Sequence, residues 1–171
     1  SVGPDTQNTV SRSVRFEITY SATKVTATVV PVTIDDYADW REHFFDEEQA
    51  ANDEISGPDA NPDVDGLSNM DEYVFGGDPL APDGSPVTFS LNETANPGEL
   101  AVTASFRWAN DVTDIDWVFE TSPDLKTWTE LGASETANVN NGDFSQITAK
   151  LLEPFDATQR TFLRIAGKEQ L

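Results

Sequence analysis

The sequence contains no cysteine, a single histidine and few basic residues, and it has no long apolar run. Without cysteine, neither disulfides nor thiol chemistry are available. Because no apolar stretch approaches the roughly twenty residues of a membrane-spanning helix, we do not expect direct membrane insertion. The chain has 10 Lys and Arg against 31 Asp and Glu, a formal charge of −21 over 171 residues. This charge argues against nucleic acid and anionic membranes as partners and favours metal cations.

Catalytic patterns are also scarce. The one histidine, His43, lies on a predicted helix, and the sequence has no nucleophile motif, phosphate-binding loop or zinc pattern. Paired carboxylates are compatible with a glycosidase, but among 31 acidic residues no pair stands out. We therefore expect a protein that is not an enzyme, with most of its acidic side chains on the solvated surface.

The most informative stretch is 61–72, which is rich in oxygen-bearing side chains. A calcium loop of the EF-hand type has oxygen ligands at positions one, three and five and a glycine at six. A backbone carbonyl follows at seven, a polar group at nine and a glutamate at twelve. The residues at these ligand positions are Asn61, Asp63, Asp65, Leu67, Asn69 and Glu72. The spacing predicts a Ca²⁺ site with these six ligands, Leu67 contributing its carbonyl.

The spacing has a physical basis. Ca²⁺ takes six to eight oxygens at roughly 2.3–2.6 Å, so alternate residues must turn inward around one point. Gly66, at position six, supplies the backbone freedom for the sharp reversal. Without an ion, the carboxylates of Asp63, Asp65 and Glu72 would repel one another. The alternative is ordinary turn chemistry, since Asp, Asn and Gly are common in turns, but the correct placement of both Asn69 and Glu72 favours calcium.

A helix is predicted on each side of the loop. Residues 33–36 resemble a capping box, which would begin at Thr33 and open a helix running to about Asn52. Trp40 and Phe44 share one face of that helix, which favours core packing, with stacking on a sugar as the alternative. A second helix is expected over 68–74, ended by a glycine C-cap at 76–77.

The rest of the chain has the pattern of strands. Residues 13–20 and 24–31 surround a short polar turn and predict a β-hairpin. After a turn-rich linker at 78–86, further strands are predicted at 87–91, 100–108, 115–122, 127–131, 146–151 and 161–166. In the linker, Asp78 and Asp83 are compatible with a second ion or, more simply, with Asx-turn capping.

These patterns together predict an α+β chain that is mostly β and has three segments. Residues 1–33 would form a β-hairpin that ends a preceding β-domain or adds to another sheet. Residues 34–85 would form a helix–calcium loop–helix segment, and residues 86–171 a small antiparallel β-sandwich of the immunoglobulin or fibronectin type III kind.

Residues 59–79 resemble the DPDGDGLSNLLEYALGTDP segment of large secreted bacterial surface proteins, which is related in pattern to dockerin and thrombospondin type 3 calcium repeats. Residues 118–129 and 161–165 are similar to strands of the β-domains that follow in such proteins. The resemblance implies a calcium-binding, EF-hand-like module near the C-terminus of an extracellular or cell-surface protein. Asn61 replaces the usual Asp, so we expect an affinity of about 10⁻⁴–10⁻³ M or somewhat tighter. Val64 replaces Gly at a position that often turns left-handed.

Two functions follow as hypotheses. The first is a calcium-stabilised extracellular structural or assembly module, such as a filament or surface-layer subunit, that joins other copies or neighbouring domains by strand addition. The second is an adhesion module that binds surface glycans, with Trp108 and Trp128 as a stacking platform. For each tryptophan, a place in the core is the simpler alternative.

Overall fold

The computed structural model of the chain describes residues 14–31, 34–156, 158 and 161–169. Within these ranges the chain is mostly β, with several antiparallel sheets and few helices, as predicted. None of the helices among the described residues combines the length and apolar character needed to cross a bilayer.

The first element is the predicted hairpin. It consists of β1 (Val14–Tyr20) and β2 (Val25–Pro31), which pair antiparallel in a two-stranded sheet. Ile18, Tyr20, Val25 and Val29 are each more than half exposed. The other residues of the predicted N-terminal segment, 1–13 and 32–33, lie outside the described ranges.

The helical segment departs from the prediction of one helix up to Asn52. Two short helices occupy that range, α1 (Tyr37–Phe44) and α2 (Glu47–Ala50), and a third, α3 (Asp53–Ser56), follows directly after it. The breaks have a local cause, because Asp46 accepts a hydrogen bond from the Gln49 N–H at 2.8 Å and Asn52 accepts one from the Glu54 N–H at 3.0 Å. Each side chain caps a new helix and so competes with continuation of the previous one.

The start of α1 also differs from the prediction. Its N-cap is Asp36, whose side chain accepts a hydrogen bond from the Asp39 N–H at 2.9 Å. Thr33, the expected first residue of the capping box, lies outside the described residues.

The second predicted helix is present as α4 (Asn69–Phe75). Ser68 caps its N-terminus, and Ser68 and Asp71 form a reciprocal capping box. The helix ends at Gly76 with φ of 72°, a left-handed conformation that glycine adopts without steric cost. This confirms the predicted C-cap.

Eight further strands follow α4. They are β3 (Val87–Glu93), β4 (Glu99–Ala109), β5 (Ile115–Ser122), β6 (Thr129–Leu131), β7 (Ala133–Asn140), β8 (Phe144–Leu151), β9 (Phe155–Asp156) and β10 (Phe162–Glu169). One sheet has the order β3-β4-β8-β7, with β9 also paired to β4, and the other has the order β10-β5-β6. All six predicted strands are present: β5 has the predicted ends, the other five are shifted at one or both ends, and β7 and β9 were not predicted.

Helices and sheets share one cluster of buried hydrophobic side chains. The two sheets meet through aromatic contacts, with ring centroids of Phe106 and Trp117 at 5.5 Å and those of Phe89 and Phe119 at 6.1 Å. Helix α4 joins the same core because Phe75 lies 5.8 Å from the ring of Trp108. The core therefore holds α4 against the five-stranded sheet.

Candidate metal centre

The loop before α4 brings together the three predicted carboxylate ligands. Asp63, Asp65 and Glu72 each offer one oxygen, and these oxygens lie within 4.8 Å of one another. Two oxygens bound to one Ca²⁺ at roughly 2.3–2.6 Å are at most about 5 Å apart, so the cluster has the right dimension for a single ion. Glu72 is fully buried, and the two aspartates are half-buried.

Several oxygens of the predicted ligand set are buried without a hydrogen-bond donor. They are Asn61 Oδ1, Asp63 Oδ2, Asn69 Oδ1 and both carboxylate oxygens of Glu72. A buried acceptor without a donor costs roughly 1–3 kcal/mol, and more when it is charged. These five atoms, in the loop and the first turn of α4, form a set of acceptors that a cation would satisfy together.

The environment of Glu72 strongly disfavours its charged form. The pKa of Glu72 is raised from 4.5 to about 8, mostly by desolvation on burial and further by the nearby charges of Asp63, Asp65, Asp83 and Asp78, in that order. A bound divalent cation would reverse this balance, because it stabilises the ionised carboxylate directly.

Asn69, at position nine, is anchored through its amide nitrogen. Its Nδ2 donates to the carbonyls of Ile55 and Gly57, both at 2.9 Å, and its backbone N–H donates to the Ala60 carbonyl at 2.8 Å. The side chain is fully buried. Both hydrogen bonds of the side chain are made by Nδ2. The other amide atom, Oδ1, accepts none and is available to bind a cation.

The backbone of the loop bends where the ligand pattern requires it. Gly66 has φ of 102°, which only glycine adopts readily, and this confirms the predicted reversal. Val64 has φ of 62°, the left-handed conformation, although it carries a β-branched side chain. Leu67 follows the reversal, and its N–H donates to Asp65 Oδ1 at 2.7 Å.

Asp71, although next to Glu72, belongs to a different structure. Its Oδ2 accepts hydrogen bonds from the Ser68 hydroxyl at 2.7 Å and from the Ser68 N–H at 3.1 Å. These bonds cap α4. The carboxylate of Asp71 therefore caps the helix, whereas that of the next residue, Glu72, belongs to the acidic cluster.

The two linker aspartates have different roles. Asp78 Oδ1 accepts a hydrogen bond from the Leu80 N–H at 3.0 Å, the Asx turn that the sequence favoured over a second ion. Asp83 instead approaches the loop, because its N–H donates to Asp65 Oδ2 at 2.8 Å. Sequence reasoning did not place Asp83 beside Asp65, since a separation of 18 residues carries no local signal.

The aromatic residues considered for sugar stacking have distinct positions. Trp40 is fully buried against Tyr37 and Tyr73, and Trp108 is 8% exposed, so both belong to the core. Trp128 is half-buried, and the guanidinium carbon of Arg164 lies 4.0 Å from its ring centroid. One face of the Trp128 ring is therefore covered by a cation.

No family model, curated protein or solved structure matches this chain. The chemistry of the site rests on its own geometry. A cluster of carboxylate and amide oxygens between short helices is suited to hard divalent cations, which prefer oxygen ligands.

Proposed function

We propose that residues 61–72 bind Ca²⁺ through Asn61, Asp63, Asp65, the Leu67 carbonyl, Asn69 and Glu72. The observation that carries this proposal is the group of buried oxygens without donors at four of these residues, beside three carboxylates whose oxygens lie within 4.8 Å. The Asp and Glu ligands carry three negative charges, and a divalent cation offsets most of their repulsion. Calcium is favoured over magnesium because all six of the proposed ligands are protein oxygens, whereas Mg²⁺ usually keeps several waters.

We further propose that the ion serves structure. Helix α4 carries Glu72 and, about one turn later, Phe75, whose ring packs against Phe106 and Trp108. An ion that fixes Glu72 would therefore also stabilise the packing of α4 on the five-stranded sheet. The protein would act as a calcium-stabilised, extracellular structural or assembly module of a secreted or cell-surface protein, with a β-sandwich of the immunoglobulin or fibronectin type III kind.

Its partners would be Ca²⁺ and other copies or neighbouring domains, joined by strand addition. Support comes from the hairpin, whose exposed apolar side chains and two-stranded sheet leave it marginal by itself. Light scattering across protein concentration, with calcium and with chelator, tests this point. A particle that stays monomeric throughout contradicts assembly.

The test of the ion site is thermal unfolding of the whole chain with calcium, with magnesium and with chelator. At about a hundred times its Kd, calcium adds roughly 2.7 kcal/mol of stability, which raises Tm by about 5–10 °C for a chain of this size. Asp63→Ala should abolish this shift. Asp59→Ala is the matched control, because Asp59 is exposed and outside the ligand positions. Equal melting of the wild-type protein with calcium and with chelator would refute the proposal.

Glycan binding remains the second hypothesis from the sequence. Trp128, which is half-buried, is the one of the two proposed tryptophans that is not in the core. Trp128→Ala in a folded protein should abolish any glycan-array signal if this hypothesis holds.

A further inference from the structure

The linker between α4 and β3 contacts the loop of the proposed ion site through the carboxylate of Asp65. Asp65 Oδ2 accepts a hydrogen bond from the Asp83 N–H at 2.8 Å, while Asp65 Oδ1 accepts one from the Leu67 N–H at 2.7 Å. The carboxylate of Asp65 is thus oriented by two donors. One belongs to the loop itself, and the other lies 18 residues further along the chain.

The same linker is held by the five-stranded sheet. Asp83 Oδ2 lies 3.5 Å from Nη2 of Arg107, and the side chains of Asp83 and Arg107 are 30% and 29% exposed. Arg107 belongs to β4, which pairs with β3 on one side and β8 on the other. Its backbone N–H also donates to the Pro86 carbonyl at 3.4 Å. Arg107 therefore contacts the linker twice, at Asp83 and at Pro86.

We propose that Asp83 and Arg107 form a link through which occupancy of the cation site is coupled to strand β4. This inference rests on the proposed cation site. In it, Asp83 and Arg107 are positioning residues and not ligands. The contacts run from Asp65 to the Asp83 N–H, and from the Asp83 carboxylate to the Arg107 guanidinium.

The coupling is expected because Asp83 contacts Asp65 through its backbone N–H and Arg107 through its carboxylate. An ion bound by Asp65 restricts the motion of that carboxylate, and the carboxylate holds the Asp83 N–H. A restricted Asp83 backbone in turn holds its side chain in reach of Arg107. Because coupling between two sites is reciprocal, the ion pair also pre-orients Asp65 for the ion.

The ion pair must be removed without changing the charge beside the site, since a lost positive charge alone would strengthen cation binding. The double variant Asp83→Asn with Arg107→Gln replaces an ion pair, whose net charge is zero, by two uncharged side chains. It also keeps the backbone N–H at position 83. The matched control is Glu120→Gln with Arg164→Gln. Its ion pair, at 2.7 Å, joins β5 to β10 in the other sheet.

The readout is amide hydrogen exchange of the full chain, followed by NMR with saturating calcium and with chelator. We expect calcium to slow exchange at the amides of residues 83 and 107 by about fivefold or more relative to the amides of β5, the lower end of typical couplings between sites. The control variant should behave as the wild type. In the Asp83→Asn, Arg107→Gln variant, the amide at 83 should still slow while that at 107 should not.

Two results would overturn the link. One is the absence of calcium-dependent slowing at residue 107 in the wild-type protein, and the other is its persistence in the double variant. Titration calorimetry with calcium separates this failure from failure of the site itself. Binding without coupling refutes only the link, whereas no binding to the wild-type protein refutes both.

Discussion

Replacement of Glu72 by glutamine tests the electrostatics of the metal centre most directly. Glu72 is fully buried, and its pKa is raised from 4.5 to about 8, mainly by desolvation. In the chelated protein, a protonated Glu72 favours the folded state. This contribution is fully present below about pH 4.5 and is lost as pH rises through about 8. The chelated wild-type protein should therefore lose stability across this window.

The size of the effect follows from the shift. Each pKa unit corresponds to roughly 1.4 kcal/mol, so ionising Glu72 in the folded protein costs up to about 5 kcal/mol. Relaxation and water entry reduce this value, and we expect Glu72→Gln to stabilise the chelated protein at pH 9 by about 2 kcal/mol or more. At pH 5 the two proteins should differ little. Calcium should stabilise the wild-type protein more at pH 9 than at pH 5, and Glu72→Gln should not respond to it.

The assay is urea unfolding at pH 5 and pH 9, with chelator and with calcium. Glu48→Gln is the control, since Glu48 is exposed on α2 and its replacement tests the general loss of one negative charge. A Glu72→Gln protein that is less stable than wild type in chelator at pH 9 would show that the buried carboxylate is not a source of strain, and the reasoning would fail.

Three further predictions concern the loop and the core. Val64→Gly should raise the free energy of unfolding by up to about 1 kcal/mol, because relief of the left-handed strain exceeds the entropy cost of glycine; a loss of stability would contradict this. Gly77→Ala should destabilise by about 1–3 kcal/mol and weaken calcium binding, because the new Cβ would lie 3.0 Å from Asp83 Oδ2 and 3.1 Å from Glu72 Cβ. Gly84→Ala, with no atom within 4 Å of its new Cβ, should be neutral in the same melts. Phe106→Ala should cost about 3–5 kcal/mol in urea unfolding, since Phe106 is fully buried, and a cost below about 1 kcal/mol would show that the two sheets do not depend on it.

Local patterns in the sequence predicted the local elements well. The helix after the loop and its cap at Gly76 depend on residues close together in the chain, and so does the reversal at Gly66. The ligand positions were also predicted from spacing alone. The structure brings their three carboxylates together, while the binding of an ion, and its identity as calcium, stay predictions.

Where prediction failed, competing or distant interactions were responsible. The sequence predicted one helix up to about Asn52, but Asp46 and Asn52 use their side chains to cap new helices. Strand β7 has almost no apolar alternation, because it lies at the edge of its sheet and nearly all its residues are exposed. The approach of Asp83 to Asp65 depends on tertiary packing that no short pattern records.

The position of Phe75 has a consequence for the integrity of the chain. This residue precedes the linker in the sequence, yet its ring packs against Phe106 and Trp108, which follow the linker. Leu80, within the linker, is half exposed and open to a protease. A nick there would break one peptide bond but leave two fragments whose aromatic surfaces complete each other, so they should stay together as a single particle until denaturant is added.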